Sequence, residues 1–350
     1  MILDFTYDMS TEWYRKEWML MTQQSIPEDW QVEIFDFLGE WFSDKNQFEI
    51  KTSGTTGSPK IESLKRESFI SSARITINTF DLMEGDTLLL CLPMNFVAGK
   101  MMLIRAIVGR MKVLAFQPSI NPIKDLQYPV TFAAFTPHQL QTILNINPIK
   151  IDLIKKAIIG GSPVNSGLQK QLDNFKTDFF ETFGMSETLT HVAIKALNGA
   201  NKSDFFKALK GFNIRVDEDN RLIIEAGHLK NSPLYTSDII DLINTKEFKW
   251  LGRSDDVINS GGVKLFPVSI ENRISTQIDR EIIIGKRSDE NFGEVVLLFI
   301  EGEPFNDNEL AKLKNELAKL LDKFEIPKEI IFKKEFPRNK NGKVIRSEIR

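Results

Sequence analysis

The chain has 350 residues, 42% hydrophobic and 27% charged, enough to build two or three cores and typical of a globular protein. A net charge of −3 argues against a polyanion binder, so nucleic acid is not an expected partner, and a single cysteine, Cys91, excludes a disulfide framework. No apolar run approaches the ~20 residues of a membrane span, and the segment from Met1 has neither the basic nor the apolar stretch of a signal peptide, so a cytoplasmic setting is expected.

Residues 1–46 read as amphipathic helices, with Trp13, Trp18, Met19, Met21, Trp30, Ile34, Phe35, Leu38 and Trp41 on their apolar faces. Phe48–Ile50 is strand-like, and the polar run Lys51–Lys60 follows it. Arg66–Phe80 reads as a helix. Strand-like runs at Thr87–Leu92, Lys112–Phe116, Thr131–Phe135, Ala157–Gly160 and Phe179–Thr182 then alternate with helical runs at Ala98–Val108, Pro137–Leu144 and Ser166–Asn174. Such alternation predicts a layered α/β domain with parallel or mixed pairing. Asn213–Val216 and Arg221–Glu225 flank a polar turn and read as a hairpin. Beyond a boundary at Gly252–Ser254, strands at Glu281–Ile284, Glu294–Ile300 and Glu329–Phe332 and an amphipathic helix at Asn308–Phe324 predict a small α+β unit. The three histidines, His138, His191 and His228, lack metal-site spacing.

The run Lys51-Thr-Ser-Gly-Thr-Thr-Gly-Ser-Pro-Lys60 carries the first chemistry. Its backbone N–H groups, its hydroxyls and Lys60 suit a polyphosphate, although the Gly-Lys-Ser/Thr of a Walker A loop is absent. A flexible linker is the alternative. Gly160-Gly-Ser-Pro-Val164 begins like a nucleophile elbow but lacks its last glycine.

Four further segments complete a pattern. They are Phe183-Gly-Met-Ser-Glu-Thr188, Leu234-Tyr-Thr-Ser-Asp238, Leu251–Lys264 continuing to Pro267 and Glu271, and Pro337–Arg346. With the loop, these resemble, in order, the motifs of the ANL superfamily of adenylate-forming enzymes: acyl-CoA synthetases, peptide-synthetase adenylation domains and luciferases. The resemblance spans residues 52–346 and implies an ANL-type α/β fold. A large N-terminal domain, residues 1–252, with less sequence before the phosphate loop than such enzymes usually carry, would be followed by a small mobile α+β domain, residues 253–350. It also implies a two-step reaction: a carboxylic acid and ATP with Mg²⁺ give acyl-AMP and pyrophosphate, and coenzyme A then displaces AMP.

Residue by residue, the resemblance assigns ATP or AMP binding to Ser53, Gly54, Thr55, Thr56, Gly57, Lys60, Gly161, Ser162, Phe183, Gly184, Ser186, Asp238 and Arg253. Glu187 would hold Mg²⁺, Asp238 the ribose hydroxyls, and Arg253 the ribose or phosphate. Lys343 would bridge carboxylate and α-phosphate oxygens in the first step, Asp255 would be the hinge, and Gly261 and Gly262 would line the coenzyme A tunnel. Each has a plainer alternative: a helix-start Glu187, a turn Asp238, a surface-paired Arg253, a core Phe183, a turn-capping Asp255, a β-turn at Gly261–Gly262, a solvated basic tail around Lys343.

The acyl pocket would involve Phe96, Gly99, Lys100, Arg105, Thr136 and His191, with Phe96 standing where many relatives have histidine. Compact length and the Ala98–Arg105 stretch are most similar to the o-succinylbenzoate–CoA ligases of menaquinone biosynthesis. That diacid would need a cation from Lys100, Arg105, His191 or Lys195; Lys100 and Arg105 equally suit a solvent-facing helix stripe. Another acyl- or aryl-CoA ligase, a carrier-protein-loading enzyme and an inactive ligand-binding relative share the pattern, and both monomer and homodimer stay open.

Overall fold

The computed structural model describes residues 1–7, 13, 16–17, 20, 26–51, 61–189, 191–278, 280–338 and 344–349. The run from Ser53 to Lys60, expected to bind phosphates, and Lys343 lie outside these described residues. The chain divides into two compact units: Met1–Gly160, Asn174–Asn213 and Glu225–Leu234 form the first, and Gly161–Asp173, Ile214–Ile224 and Tyr235–Arg350 the second. This division differs from the expected boundary at residues 252/253, because strands on the N-terminal side of that point group with residues on its C-terminal side.

In the first unit, β1 (Ile2–Asp4) pairs antiparallel with β5 (Lys112–Ala115). The strands β2 (Gln47–Lys51) and β3 (Ile61–Lys65) form a separate antiparallel pair. Five parallel strands make the centre, in the order β5, β4 (Thr87–Leu90), β6 (Val130–Phe135), β7 (Ile154–Ile159) and β8 (Asp178–Gly184). Antiparallel β9 (His191–Ala196) and β10 (Phe206–Ala208) extend it beyond β8. Most of these central strands are nearly unbroken Val, Ile, Leu, Ala and Phe, as expected of parallel strands covered on both faces. Around them stand α1 (Asp29–Trp41), α2 (Arg66–Thr79), α3 (Val97–Gly109) and α4 (Pro137–Ile146).

Sequence periodicity finds α1 because Ile34, Phe35, Phe37, Leu38 and Trp41 share its buried face. Its rings join Phe48 and Phe69, with Trp41 and Phe48 centroids 5.0 Å apart and Phe48 and Phe69 5.8 Å apart. Arg66 lies 4.7 Å from the Trp41 ring and donates to the Trp41, Ser43 and Lys45 carbonyls, serving the exposed end of α1. Helix α3 differs: Met101–Ile107 are all buried, and Arg105 is the one charged residue in that run.

In the second unit, β11 (Asn213–Val216), β12 (Arg221–Glu225), β13 (Leu234–Leu242) and β14 (Glu247–Arg253) are neighbours in that order. A second sheet holds β15 (Ile258–Ser260), β16 (Val263–Leu265), β17 (Ile282–Asp289), β18 (Gly293–Glu301) and β19 (Glu329–Lys333). With the last sheet come α6 (Pro267–Ile274) and α7 (Asp307–Leu320), packed on a core of Ile258, Ile270, Ile284, Leu298, Leu313 and Leu317. The short α5 (Ser166–Leu172) is tied to α6, since Ser166 Oγ donates to the Asn272 carbonyl at 2.8 Å. The helix expected over 308–324 stops at Leu320: Leu321 is extended, and the Asp322 carbonyl opens a new turn by accepting from Glu325 N at 2.9 Å. The strand expected over 281–284 runs on to Asp289, because β17 and β18 pair without a break from Ile282↔Ile300 to Asp289↔Gly293.

Candidate adenylate and acyl sites

In the first unit, β8 ends in the Phe183–Thr188 segment. Thr188 is buried; its Oγ1 donates to the Met185 carbonyl at 2.9 Å and accepts from Met185 N at 3.1 Å. The tight turn Ser186–Thr188 thereby leaves Glu187 exposed, without a hydrogen-bond partner among the described residues. Leu189 comes next with φ +64°, uncommon for a branched residue and a local strain beside the turn. An outward carboxylate with no cation partner among the described residues fits Mg²⁺, which takes one or two protein carboxylates and completes its shell with substrate phosphates and water. Among the described residues no group of three or more His, Cys, Asp or Glu is placed to hold a metal by itself. Phe183 packs edge-on to Phe206, with centroids 5.8 Å apart.

The acyl candidates separate by burial. Arg105 is 2% exposed, has no ion-pair partner among the described residues, and its Nε has no hydrogen-bond partner among them. Burial pushes the guanidinium down to about 9, so it is still charged at neutral pH. His191 is also buried; its Nε2 lies 3.3 Å from Thr76 Oγ1 and its ring meets Phe80 edge-on. Burial, and then the positive charge of Arg105, push the imidazole down to about 3, so it is neutral. Lys195 is engaged by Glu181 at 2.6 Å in a largely buried pair. Lys100 Nζ donates to the Glu49 carbonyl at 2.9 Å.

These contacts exclude one alternative and give two of the acyl candidates a structural role as well. Arg105 does not belong to a solvent-facing stripe, because α3 is buried along its second half. Gly99 has a packing role, since a Cβ there would stand 2.4 Å from the Pro93 carbonyl oxygen. Thr136 is the N-cap of α4: it accepts from Gln139 N at 3.2 Å while Gln139 Oε1 accepts from Thr136 N at 3.0 Å. Phe96 stands at the cap position before α3.

In the second unit, Asp238 on β13 lies directly opposite Arg253 on β14. Asp238 is buried and accepts the Trp250 indole N–H at 2.9 Å. Sequence reading does not single out Trp250, since only the pairing of the two strands brings it to Asp238. Arg253 Nη2 lies 3.4 Å from Asp255 Oδ2, and Asp255 sits in the tight turn Ser254–Asp256. The turn's far side is held: Lys286 Nζ donates to the Val257 carbonyl at 2.9 Å, and Glu294 Oε2 accepts from Asn259 N at 2.7 Å. Gly261 and Gly262, at φ +59° and +82°, make the two-residue turn between β15 and β16. Gly161 has φ +94°, and Ser162 is next in the chain.

Residues on both sides of the segment that carries Lys343 are anchored. Arg338 pairs with Glu301 at 2.7 Å and forms an isolated antiparallel bridge with Val344, and Ile345 N donates to the Pro337 carbonyl at 2.8 Å. Arg346 binds both carboxylate oxygens of Glu271, and Glu271 Oε1 also accepts from Ile284 N at 2.6 Å. Burial raises the Glu271 carboxyl above its usual range against the pull of Arg346.

Comparison with known proteins adds an independent finding. The family described as AMP-binding enzyme matches residues 47–221, half of the chain. A 2-succinylbenzoate–CoA ligase of Listeria monocytogenes is 23% identical over 342 residues, covering 90% of this chain and 72% of that protein. Among solved structures, an acyl-CoA synthetase (AMP-forming)/AMP-acid ligase II-like protein from Dyadobacter fermentans is 30% identical, with a TM-score of 0.65 over 98% of this chain and 97% of its own. The o-succinylbenzoate coenzyme A synthetase of Bacillus subtilis, solved with ATP and magnesium, shares the fold at 21% identity and a TM-score of 0.72, over 86% of this chain and 69% of its own.

Proposed function

Because the chain belongs to the AMP-binding enzyme family, we propose that it is an ATP-dependent acid–CoA ligase working through acyl-AMP, with o-succinylbenzoate as its acid. In the first step a carboxylate oxygen bonds to the α-phosphorus of ATP and the bond to pyrophosphate breaks. In the second the coenzyme A sulfur bonds to the acyl carbon, its proton is lost, and AMP leaves. The protein supplies position and charge rather than a nucleophile.

Asp238 accepts from the ribose hydroxyls, and Arg253, opposite it, offers a fixed cation to ribose or phosphate. Phe183, Gly161 and Ser162 flank adenine, and the Ser53–Lys60 run takes the phosphates. Glu187 would hold Mg²⁺, whose charge offsets that of the phosphates. Lys343 serves the first step. Asp255 is the hinge between a large domain, residues 1–252, and a small one, residues 253–350, and Gly261 and Gly262 admit the pantetheine arm.

The observation that carries the choice of acid is Arg105, a buried cation with an unsatisfied Nε inside an otherwise apolar helix face. A cation left in that state is costly unless an anion joins it, and the second carboxylate of a diacid is such an anion. Lys195 and Lys100 are already engaged, and His191 is neutral. The named 2-succinylbenzoate–CoA ligase relative supports the same acid.

ATP–pyrophosphate exchange measured with o-succinylbenzoate, benzoate and medium-chain fatty acids tests the proposal. Exchange that depends on o-succinylbenzoate is expected. Exchange with fatty acids alone would overturn the acid, and exchange with none would count against a ligase.

A further inference from the structure

In an undisturbed antiparallel pair, Trp250 and Arg253 stand three residues apart and point to opposite faces. Between β13 and β14 they do not. Ile239 lies opposite Gly252 but Ile240 lies opposite Trp250, so Leu251 is an extra, unpaired residue. One inserted residue reverses which face every later side chain occupies. Trp250 therefore joins Arg253 on the face of Asp238. Gly252 makes the bulge possible: its φ is +141°, a conformation that residues with side chains rarely adopt, although there is space for a Cβ.

The bulge delivers one contact to Asp238. The indole Nε1 donates to Asp238 Oδ1 at 2.9 Å, while Asp238 is only 6% exposed. Asp238 N donates to Thr236 Oγ1 at 3.1 Å, and Thr236 Oγ1 donates to the Leu222 carbonyl at 2.8 Å, so the backbone beneath the carboxylate is fixed as well. An indole donates and never accepts, and it carries no charge. It can hold one carboxylate oxygen without competing for the protons of an incoming diol and without neutralising the carboxylate.

We propose that Trp250 is a positioning residue for nucleotide binding: through its indole N–H it sets the Asp238 carboxylate in the orientation that receives the two vicinal hydroxyls of a ribose. The inference rests on Asp238 being the ribose ligand, the role given to it under the proposed function. It assigns the Leu251–Gly252 bulge a purpose, which is to turn the indole toward the aspartate. Trp250 acts on the nucleotide through Asp238 alone.

Calorimetric titration of AMP and of 2′,3′-dideoxyadenosine monophosphate into the whole protein tests this. Trp250→Phe keeps the ring and removes the donor. It should weaken AMP roughly tenfold, the scale of one hydrogen bond to a charged group. Binding of the dideoxy nucleotide should stay within about twofold, which also reports that the fold is intact. In an Asp238→Ala background, Trp250→Phe should add nothing to the loss of AMP affinity. Full discrimination between the two nucleotides in Trp250→Phe would overturn the inference alone, as would a further loss in the Asp238→Ala background. A wild-type protein that binds both nucleotides equally would overturn the ribose reading together with it.

Discussion

Arg105 and His191 show how burial turns two ordinary residues into opposite kinds of group. Burial leaves Arg105 charged but unsatisfied, and the same surroundings strip His191 of its charge. Taking a charge out of water costs several kcal/mol, and no counter-charge among the described residues offsets that cost at Arg105. Arg105→Leu should accordingly raise the thermal midpoint of the ligand-free protein while sharply raising KM for o-succinylbenzoate and sparing benzoate-like monoacids. A clear fall in stability would mean that Arg105 is a pillar of the core instead. For His191 the sign follows from its neutral native form. Above about 6.5 neither state is protonated; below it the unfolded chain takes a proton that the native protein refuses down to about 3. Stability from this group is present above that window and lost as pH falls through it, by up to ~1.4 kcal/mol per pH unit. Denaturation of wild type and His191→Gln at pH 7 and pH 5 should show the difference between them shifting by about 2 kcal/mol, with wild type losing more. The sequence names Arg105 as a candidate cation but cannot show that it is buried, because Ala98–Val108 is apolar enough to suit either a surface helix with a charged stripe or a core helix. Glu187 and Asp238 are candidates that their segments supply; Trp250 is not, because strand alternation places it on the face opposite Arg253 until the bulge is seen.

At the scale of elements, the strongly patterned pieces are the ones the sequence marks correctly: α2, α3, α4, the parallel strands β4 to β8, and the β11–β12 hairpin all fall within a few residues of expectation. The short strands β1, β3, β9, β10, β15 and β16 escape it, since three to six residues carry too little periodicity and are held by pairing with distant partners. Tertiary pairing also decides the end of the chain. Arg346 lies in the basic stretch Lys333–Arg350, which by composition suits a solvated tail, yet it makes a two-point ion pair with Glu271 on α6. Removing one partner of such a pair strands the other charge and typically destabilises by about 3–5 kcal/mol. Arg346→Met should show this loss in urea denaturation, and the double substitution Glu271→Leu with Arg346→Met should recover most of it. A double variant as unstable as the single one would mean that the pair's energy does not lie in the stranded Glu271 carboxylate.

For the whole molecule, ordered motifs give the family more directly than any single element does. Family membership and the mixed α/β architecture agree with the reading from residues 52–346. The grouping of residues into two compact units was not legible, because β13 and β14 precede the motif boundary in sequence but group with the strands and helices on its C-terminal side. No helix among the described residues is long and apolar enough to cross a membrane. The central claim is the route, a carboxylate attacking the α-phosphorus of ATP, and an isotope traces it directly. With o-succinylbenzoate labelled with ¹⁸O in both carboxyl groups, ATP, magnesium and coenzyme A, the products should be the acyl-CoA, pyrophosphate and AMP, with one ¹⁸O on the AMP phosphate by mass spectrometry. Acyl-CoA formed with unlabelled AMP, or with ADP and labelled inorganic phosphate, would contradict the account.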